Sequence, residues 1–276
     1  MKERLSMRRI AALCASLLLP LMAHATEITN RPELGQEFEK LGITGTFVLY
    51  DVTADRMDVY NRDRANTPYS PASTFKIFNT LAGLESGAVR NVDEVFPYDG
   101  KPKFLKSWEK DMGLREAMKV SNLSVYQVLA KRIGPVRMQR YLDSVGYGNR
   151  NMGNVIDQFW VNGSLKISAV EQSRFLAKLA KRQLPFSMHA LTQTREILQL
   201  ERTANYTLYG KTGMAANTEP GTGWWVGWVE KENKIYTFAL NIDLTDKDDI
   251  STRAKTGDLA KRLIVGRRAL TVLGLL

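Results

Sequence analysis

Apolar positions change their spacing twice along the chain. Residues 45–52, Gly-Thr-Phe-Val-Leu-Tyr-Asp-Val, are rich in β-branched and aromatic side chains, and a Thr-Ala-Asp turn joins them to residues 56–60. This predicts a β-hairpin. From Ser70 to about Leu200 the pattern is helical. Ser70-Pro71 predicts an N-cap followed by proline at the first helical position, with Gly87 as the stop. Further helices are expected at residues 114–118, 125–133, 135–145 and 169–181. Strand character returns at residues 206–211. Residues 224–230 and 234–242 then predict a second hairpin across Lys231-Glu232-Asn233, and a helix from about Ser251 closes the chain.

Strands at both ends with helices between them predict an α+β fold. The two chain ends build one antiparallel sheet flanked by helices, and a helical subdomain is inserted in the middle. The division expected is a sheet subdomain at 26–67 and 201–276 and a helical subdomain at 68–200, within one domain spanning 26–276. A cleft forms naturally where such a sheet meets its helices.

Residues 1–25 read differently. Lys2, Arg4, Arg8 and Arg9 precede an apolar run from Ile10 to Met22, which ends in Ala23-His24-Ala25. This predicts a secretory signal cleaved after Ala25, with an apolar run too short to span a bilayer. The expected location is the periplasm, with no membrane anchor after cleavage. The segment holds four basic residues and one acidic one, so cleavage lowers the net charge from +10 to +7. It also removes Cys14, the one cysteine, and His24, leaving His189 as the one histidine. Thiol chemistry and cysteine- or histidine-cluster metal sites are thereby excluded. His189 sits in a segment that reads as a loop entering a helix, so a hydrolase built on this chain would use lysine or a carboxylate as its base. Basic and acidic residues are interleaved, with no long basic run and no aromatic-basic alternation, which argues against nucleic acid. A mild positive field favours a small anionic substrate.

Five short patterns remain, each weak by itself. Ser73-Thr74-Phe75-Lys76 places a hydroxyl and an amine three residues apart, on one helical face near a helix N-terminus. A neutral amine there can take the serine proton. Ser107-Trp108-Glu109-Lys110 fits the same pattern, so spacing alone does not choose. Lys211-Thr212-Gly213 follows a strand, where the lysine and threonine suit a carboxylate and the glycine allows close approach. Its decoy, Lys255-Thr256-Gly257, falls in the expected closing helix. Ser121 lies at a helix junction, where capping is the ordinary reading. Tyr147-Gly148-Asn149 reads as a turn, and Trp224-Trp225-Val226-Gly227-Trp228 as sheet core.

Taken in order and in these settings, the five patterns resemble the class D, oxacillinase-type serine β-lactamases over nearly the whole mature chain. The resemblance implies a β-lactam as substrate partner and an acyl-enzyme on Ser73. It implies Lys76 as general base, carried as an N-carboxylated (carbamylated) side chain that requires carbon dioxide or bicarbonate and no other cofactor. It further implies Ser121 as proton relay and Trp160 as hydrogen-bond donor to the carbamate. Lys211, Thr212 and Gly213 would bind substrate, Arg253 its carboxylate, and the amides of Ser73 and Met214 the oxyanion. Leu123 and Val161 would wall the lysine. Two positions depart from the family: Leu123 replaces a usual valine, and Tyr126 a common phenylalanine. The alternatives are a D-alanyl-D-alanine peptidase, a class C enzyme or a non-hydrolytic β-lactam sensor. A monomer or a homodimer fits equally.

Overall fold

Alternation along the strands decides how the sheet is buried. The computed structural model describes residues 26–161, 163–216, 218–245 and 258–276. Its strands are β1 (Glu27–Asn30), β2 (Gly45–Asp51), β3 (Arg56–Tyr60), β4 (Gln199–Arg202), β5 (Thr207–Ala215), β6 (Gly221–Lys231) and β7 (Lys234–Leu244). They form one sheet in the order β1-β3-β2-β7-β6-β5-β4. Successive side chains point to opposite faces, so a strand apolar at every position is buried on both. In β6, Trp224, Val226 and Trp228 join the large core beneath the helices, whereas Trp225 and Val229 join a second core on the other face. In β2, Val48 goes one way and Phe47 and Leu49 the other.

The helices are α1 (Gly35–Glu39), α2 (Arg62–Asn66), α3 (Lys76–Glu85), α4 (Leu114–Lys119), α5 (Leu123–Ile133), α6 (Pro135–Val145), α7 (Ala169–Ala180), α8 (Met188–Leu198) and α9 (Asp258–Val272). The α7 helix starts at a capping box formed by Ser168 and Glu171, and packs across β2, β6 and β7. There Thr237 Oγ1 donates to the Ser173 carbonyl at 2.9 Å. The opposite face is covered by α9, which lies so close that a Cβ on Gly266 would fall 2.3 Å from the Trp225 ring.

The α+β class and the joining of both chain ends in one sheet are as expected, with four local differences. The sheet is antiparallel except at β1, which pairs parallel to β3 and had no pattern of its own. The helical region stops at Leu198, after which Gln199–Arg202 forms the edge strand β4. In the second hairpin Lys231 pairs with Lys234, leaving Glu232 and Asn233 as a two-residue turn at φ 51° and 60°. That left-handed pair matches the twist of the flanking strands. Ser70 does not cap α3: its Oγ donates to the carbonyls of Trp160 and Val161, and a 3-10 turn at Ala72–Phe75 precedes the α-helix. The expected helix start near Ser251 lies outside the described residues, as does the N-terminal segment 1–25.

Candidate active site

The 3-10 turn before α3 holds the first pair of reactive groups. Lys76 is the first residue of α3 and is fully buried, and its Nζ lies 2.6 Å from Ser73 Oγ. Burial lowers the Lys76 amine from its ordinary value to about 7. A large fraction is then neutral at physiological pH and able to accept the Ser73 proton. Ser73 itself is half-buried and faces the cleft. The residue before it, Ala72, has φ 48°, a left-handed conformation that only an over-determined surrounding maintains in a residue with a Cβ.

Ser121 stands across the cleft from the turn, in the junction between α4 and α5. It too has a left-handed backbone, at φ 55°. It is not a cap: Asn122 caps α5 by accepting from Val125 N–H. Lys211 Nζ donates to Ser121 Oγ at 2.9 Å and to the Thr212 carbonyl at 2.9 Å. Burial holds Lys211 well below its ordinary value, and the charges of Lys76 and Arg262 push it further down.

The β5 strand carries Lys211, Thr212, Gly213 and Met214 past the turn. Because β4 pairs only with Thr207, Leu208 and Tyr209, no strand among the described residues covers the outer edge of β5 beyond them. Gly213 lets the strand cross close to the turn, since a Cβ there would lie 3.1 Å from the Pro71 carbonyl oxygen and one of the two would have to give by a few tenths of an ångström. Between these elements lies a cavity of about 270 Å³, and its lining includes Ser73, Trp108, Ser121, Thr212, Met214 and Arg262. Among the described residues lining it, no carboxylate is present.

Trp160 is fully buried and stacks on Phe75 at 5.4 Å between ring centroids, with its Nε1–H lacking any hydrogen-bond partner. An orphan donor in a core costs about 1–3 kcal/mol, so an acceptor belongs there. Leu123 and Val161 line the cavity. The Tyr126 hydroxyl pairs with Thr80 Oγ1 at 3.0 Å, and its ring centroid lies 5.5 Å from Lys76 Nζ.

Arg253 lies outside the described residues, as does the 255–257 decoy. The arginine found at the cavity is Arg262 on α9, whose Nη1 donates to the Gly213 carbonyl at 3.0 Å. Burial lowers it to about 10, which leaves it cationic at neutral pH. Sequence reasoning missed it because three arginines share α9, and only packing separates Arg262 from the exposed Arg267 and Arg268. Trp108 was missed for a related reason, lying inside the decoy serine-lysine pattern. Ser107 and Lys110 of that decoy are exposed, with Lys110 paired to Glu116. His189 is exposed on α8 and meets the Arg90 carbonyl at 2.9 Å, away from the cavity lining.

Known proteins resemble this chain over most of its length. The penicillin binding protein transpeptidase domain matches residues 29–264. The β-lactamase OXA-5 of Pseudomonas aeruginosa is 40% identical over 250 residues, covering 90% of this chain and 94% of its own. FUS-1 (OXA-85), a class D β-lactamase from Fusobacterium nucleatum, superposes with a TM-score of 0.84 at 43% identity, covering 90% of this chain and all of its own. The chain belongs to the class D β-lactamases. A third member, OXA-48 of Klebsiella pneumoniae, is 35% identical over 249 residues, 89% of this chain and 94% of its own. Of the two serine-lysine patterns, Ser73 and Lys76 are in hydrogen-bond contact beside the cavity, whereas Ser107 and Lys110 are exposed. No helix among the described residues is long and apolar enough to cross a membrane.

Proposed function

We propose that this protein hydrolyses the β-lactam ring of penicillin-type antibiotics through an acyl-enzyme on Ser73, conferring resistance from the periplasm after export. The observation that carries the reading is the buried Lys76 amine 2.6 Å from Ser73 Oγ, beside a cavity whose described lining holds the Arg262 guanidinium and no carboxylate. Penicillins bring a carboxylate, which Lys211, Thr212 and Arg262 suit. Arg262 is the arginine of the described lining; Arg253, given this role from sequence, lies outside the described residues.

In the first half-reaction Ser73 Oγ attacks the lactam carbonyl carbon. An O–C bond forms, the ring C–N bond breaks, and the Oγ proton passes to Lys76. Ser121, hydrogen-bonded to Lys211, delivers its proton to the departing nitrogen and is resupplied with the proton that Lys76 took from Ser73, so that Lys76 is again free to accept one. The amides of Ser73 and Met214 hold the carbonyl oxygen as it gains charge. In the second half-reaction water attacks the ester carbonyl while Lys76 takes its proton; the C–Oγ bond then breaks, Lys76 returns that proton to Ser73 Oγ, and the opened product leaves.

Carbon dioxide bound to the Lys76 amine supplies a carboxylate-type proton acceptor at this position. Two features of the pocket fit it: an amine that burial keeps partly neutral, and an unpaired Trp160 Nε1–H close by in sequence to the cavity wall at Val161. The test is hydrolysis of a chromogenic cephalosporin and a penicillin by purified protein, with and without bicarbonate. Steady turnover enhanced by bicarbonate is expected. Covalent labelling without turnover at any bicarbonate level would instead mark a penicillin-binding or sensor protein.

A further inference from the structure

Ser73 is held from behind by polar groups that the reaction itself does not use. Gln172 lies in the middle of α7, fully buried, at a position where the neighbouring Phe175 and Leu176 are apolar core. Its Nε2 donates to Thr74 Oγ1 at 2.8 Å. That hydroxyl must send its own proton elsewhere, and it donates to the Pro71 carbonyl at 2.7 Å, which also accepts from Thr74 N–H at 3.1 Å. The loop between acceptor and donor contains Ala72, with its left-handed φ of 48°. A buried amide is costly unless its bonds are made, so a glutamine here is informative.

The opposite side of the same turn meets β5. A Cβ on Gly213 would fall 3.1 Å from both the Pro71 oxygen and Thr74 Cγ2, and 3.3 Å from Thr74 N. Turn and strand thus touch at glycine distance through the atoms that the Gln172 bond organises. Ser73 adjoins Thr74 and Met214 adjoins Gly213, so this contact sets the spacing between the two amides. Two further buried groups complete the cluster. Gln172 Oε1 and Tyr147 Oη each lack a hydrogen-bond partner, and the Tyr147 hydroxyl faces Thr74 and Gln172.

We propose that Gln172 and Thr74 are positioning residues that fix the Ser73 turn against β5 and so hold the oxyanion site in register. The α7 helix is a suitable base for this strut, because it is itself bonded to the sheet through Thr237 and Ser173. The inference rests on the serine-hydrolase reading, in which the Ser73 and Met214 amides stabilise the oxyanion.

The test compares Gln172→Leu, Thr74→Val, Thr74→Ser and the Gln172→Leu/Thr74→Val double variant, with rates of labelling by a fluorescent penicillin and of label release. Misplaced donors lose part of what deleted ones lose, so acylation should fall about tenfold in Gln172→Leu and Thr74→Val. Label release should slow in parallel, since both steps pass through the same oxyanion. The double variant should be no slower than Thr74→Val, which already removes the Gln172 bond together with the one to Pro71. Thr74→Ser should stay within about twofold of the native rate, since the hydroxyl remains. Saturating bicarbonate should not restore the loss, which separates it from a defect at Lys76. Native rates in Gln172→Leu, or additive losses in the double variant, would overturn the proposal. If Gln172→Leu fails to fold, the Thr74 pair decides: equal rates in the valine and serine variants would overturn it. Failure of the underlying reading appears separately, as labelling that persists in Ser73→Ala.

Discussion

Replacing Lys76 by methionine should stabilise the protein while abolishing its activity, and the stabilisation should depend on pH in a defined direction. Methionine keeps most of the buried volume and removes the ionisable group. The native amine titrates near 7 and the unfolded one near its ordinary 10.5, so between those values the unfolded chain holds a proton that the native chain has released. Native stability therefore rises with pH across that interval, and the penalty of burying the ammonium is complete below about pH 7. The gap between the two values corresponds to ~5 kcal/mol, an upper limit since the residue is fully buried and its environment can relax. Urea unfolding in bicarbonate-free buffer at pH 6.5, 8.5 and 10 measures it. Lys76→Met should exceed the native protein by several kcal/mol at the lowest pH, and the difference should shrink toward pH 10. A variant less stable at pH 6.5, or a difference independent of pH, would refute the assignment of an uncompensated buried amine.

Three other substitutions probe the site. Trp160→Phe removes the orphan indole donor while keeping a ring against Phe75. Its activity should need about tenfold more bicarbonate, matching the loss of a hydrogen bond to a charged group, and unchanged bicarbonate dependence would remove Trp160 from the role proposed for it. Arg262→Ala should raise KM for penicillins about tenfold or more with kcat little changed, since it deletes a carboxylate partner without touching the reacting atoms; steady-state kinetics decide it, and an unaltered KM would return the role to Arg253. Gly213→Ala pushes β5 from the Pro71 carbonyl and should lower kcat at least tenfold, whereas native kcat would show that the turn-strand spacing is tolerant.

The contact between Ser73 and Lys76 was legible because a three-residue separation lets the two side chains meet, although Ser107 and Lys110 share that spacing and are exposed, with Lys110 turned to Glu116. The strand patterns at β2, β5, β6 and β7 were legible too, since alternation and β-branched content are properties of short windows. What escaped depends on distant packing. The four-residue edge strands β1 and β4 are too short and polar to carry a period, and exist because β3 and β5 offer open edges. Ser70 resembles a helix cap in sequence, but its hydroxyl is taken by carbonyls of residues 160 and 161, some ninety positions away. Arg262 and Gln172 became visible only when α9 and α7 were laid on the sheet. Both are ordinary helical residues whose chemistry is assigned by their neighbours.

The central claim is that Ser73 forms a transient ester with the opened β-lactam and that Lys76 drives its release. Rapid-quench mass spectrometry with peptide mapping tests this directly, on the native protein and on Ser73→Ala and Lys76→Ala, each mixed with a penicillin. An adduct of the whole penicillin mass is expected on the peptide holding Ser73, short-lived in the native protein. The adduct should be absent in Ser73→Ala, and slow to form and persistent in Lys76→Ala. An adduct on another residue such as Ser107, turnover by Ser73→Ala, or native release rates in Lys76→Ala would contradict it.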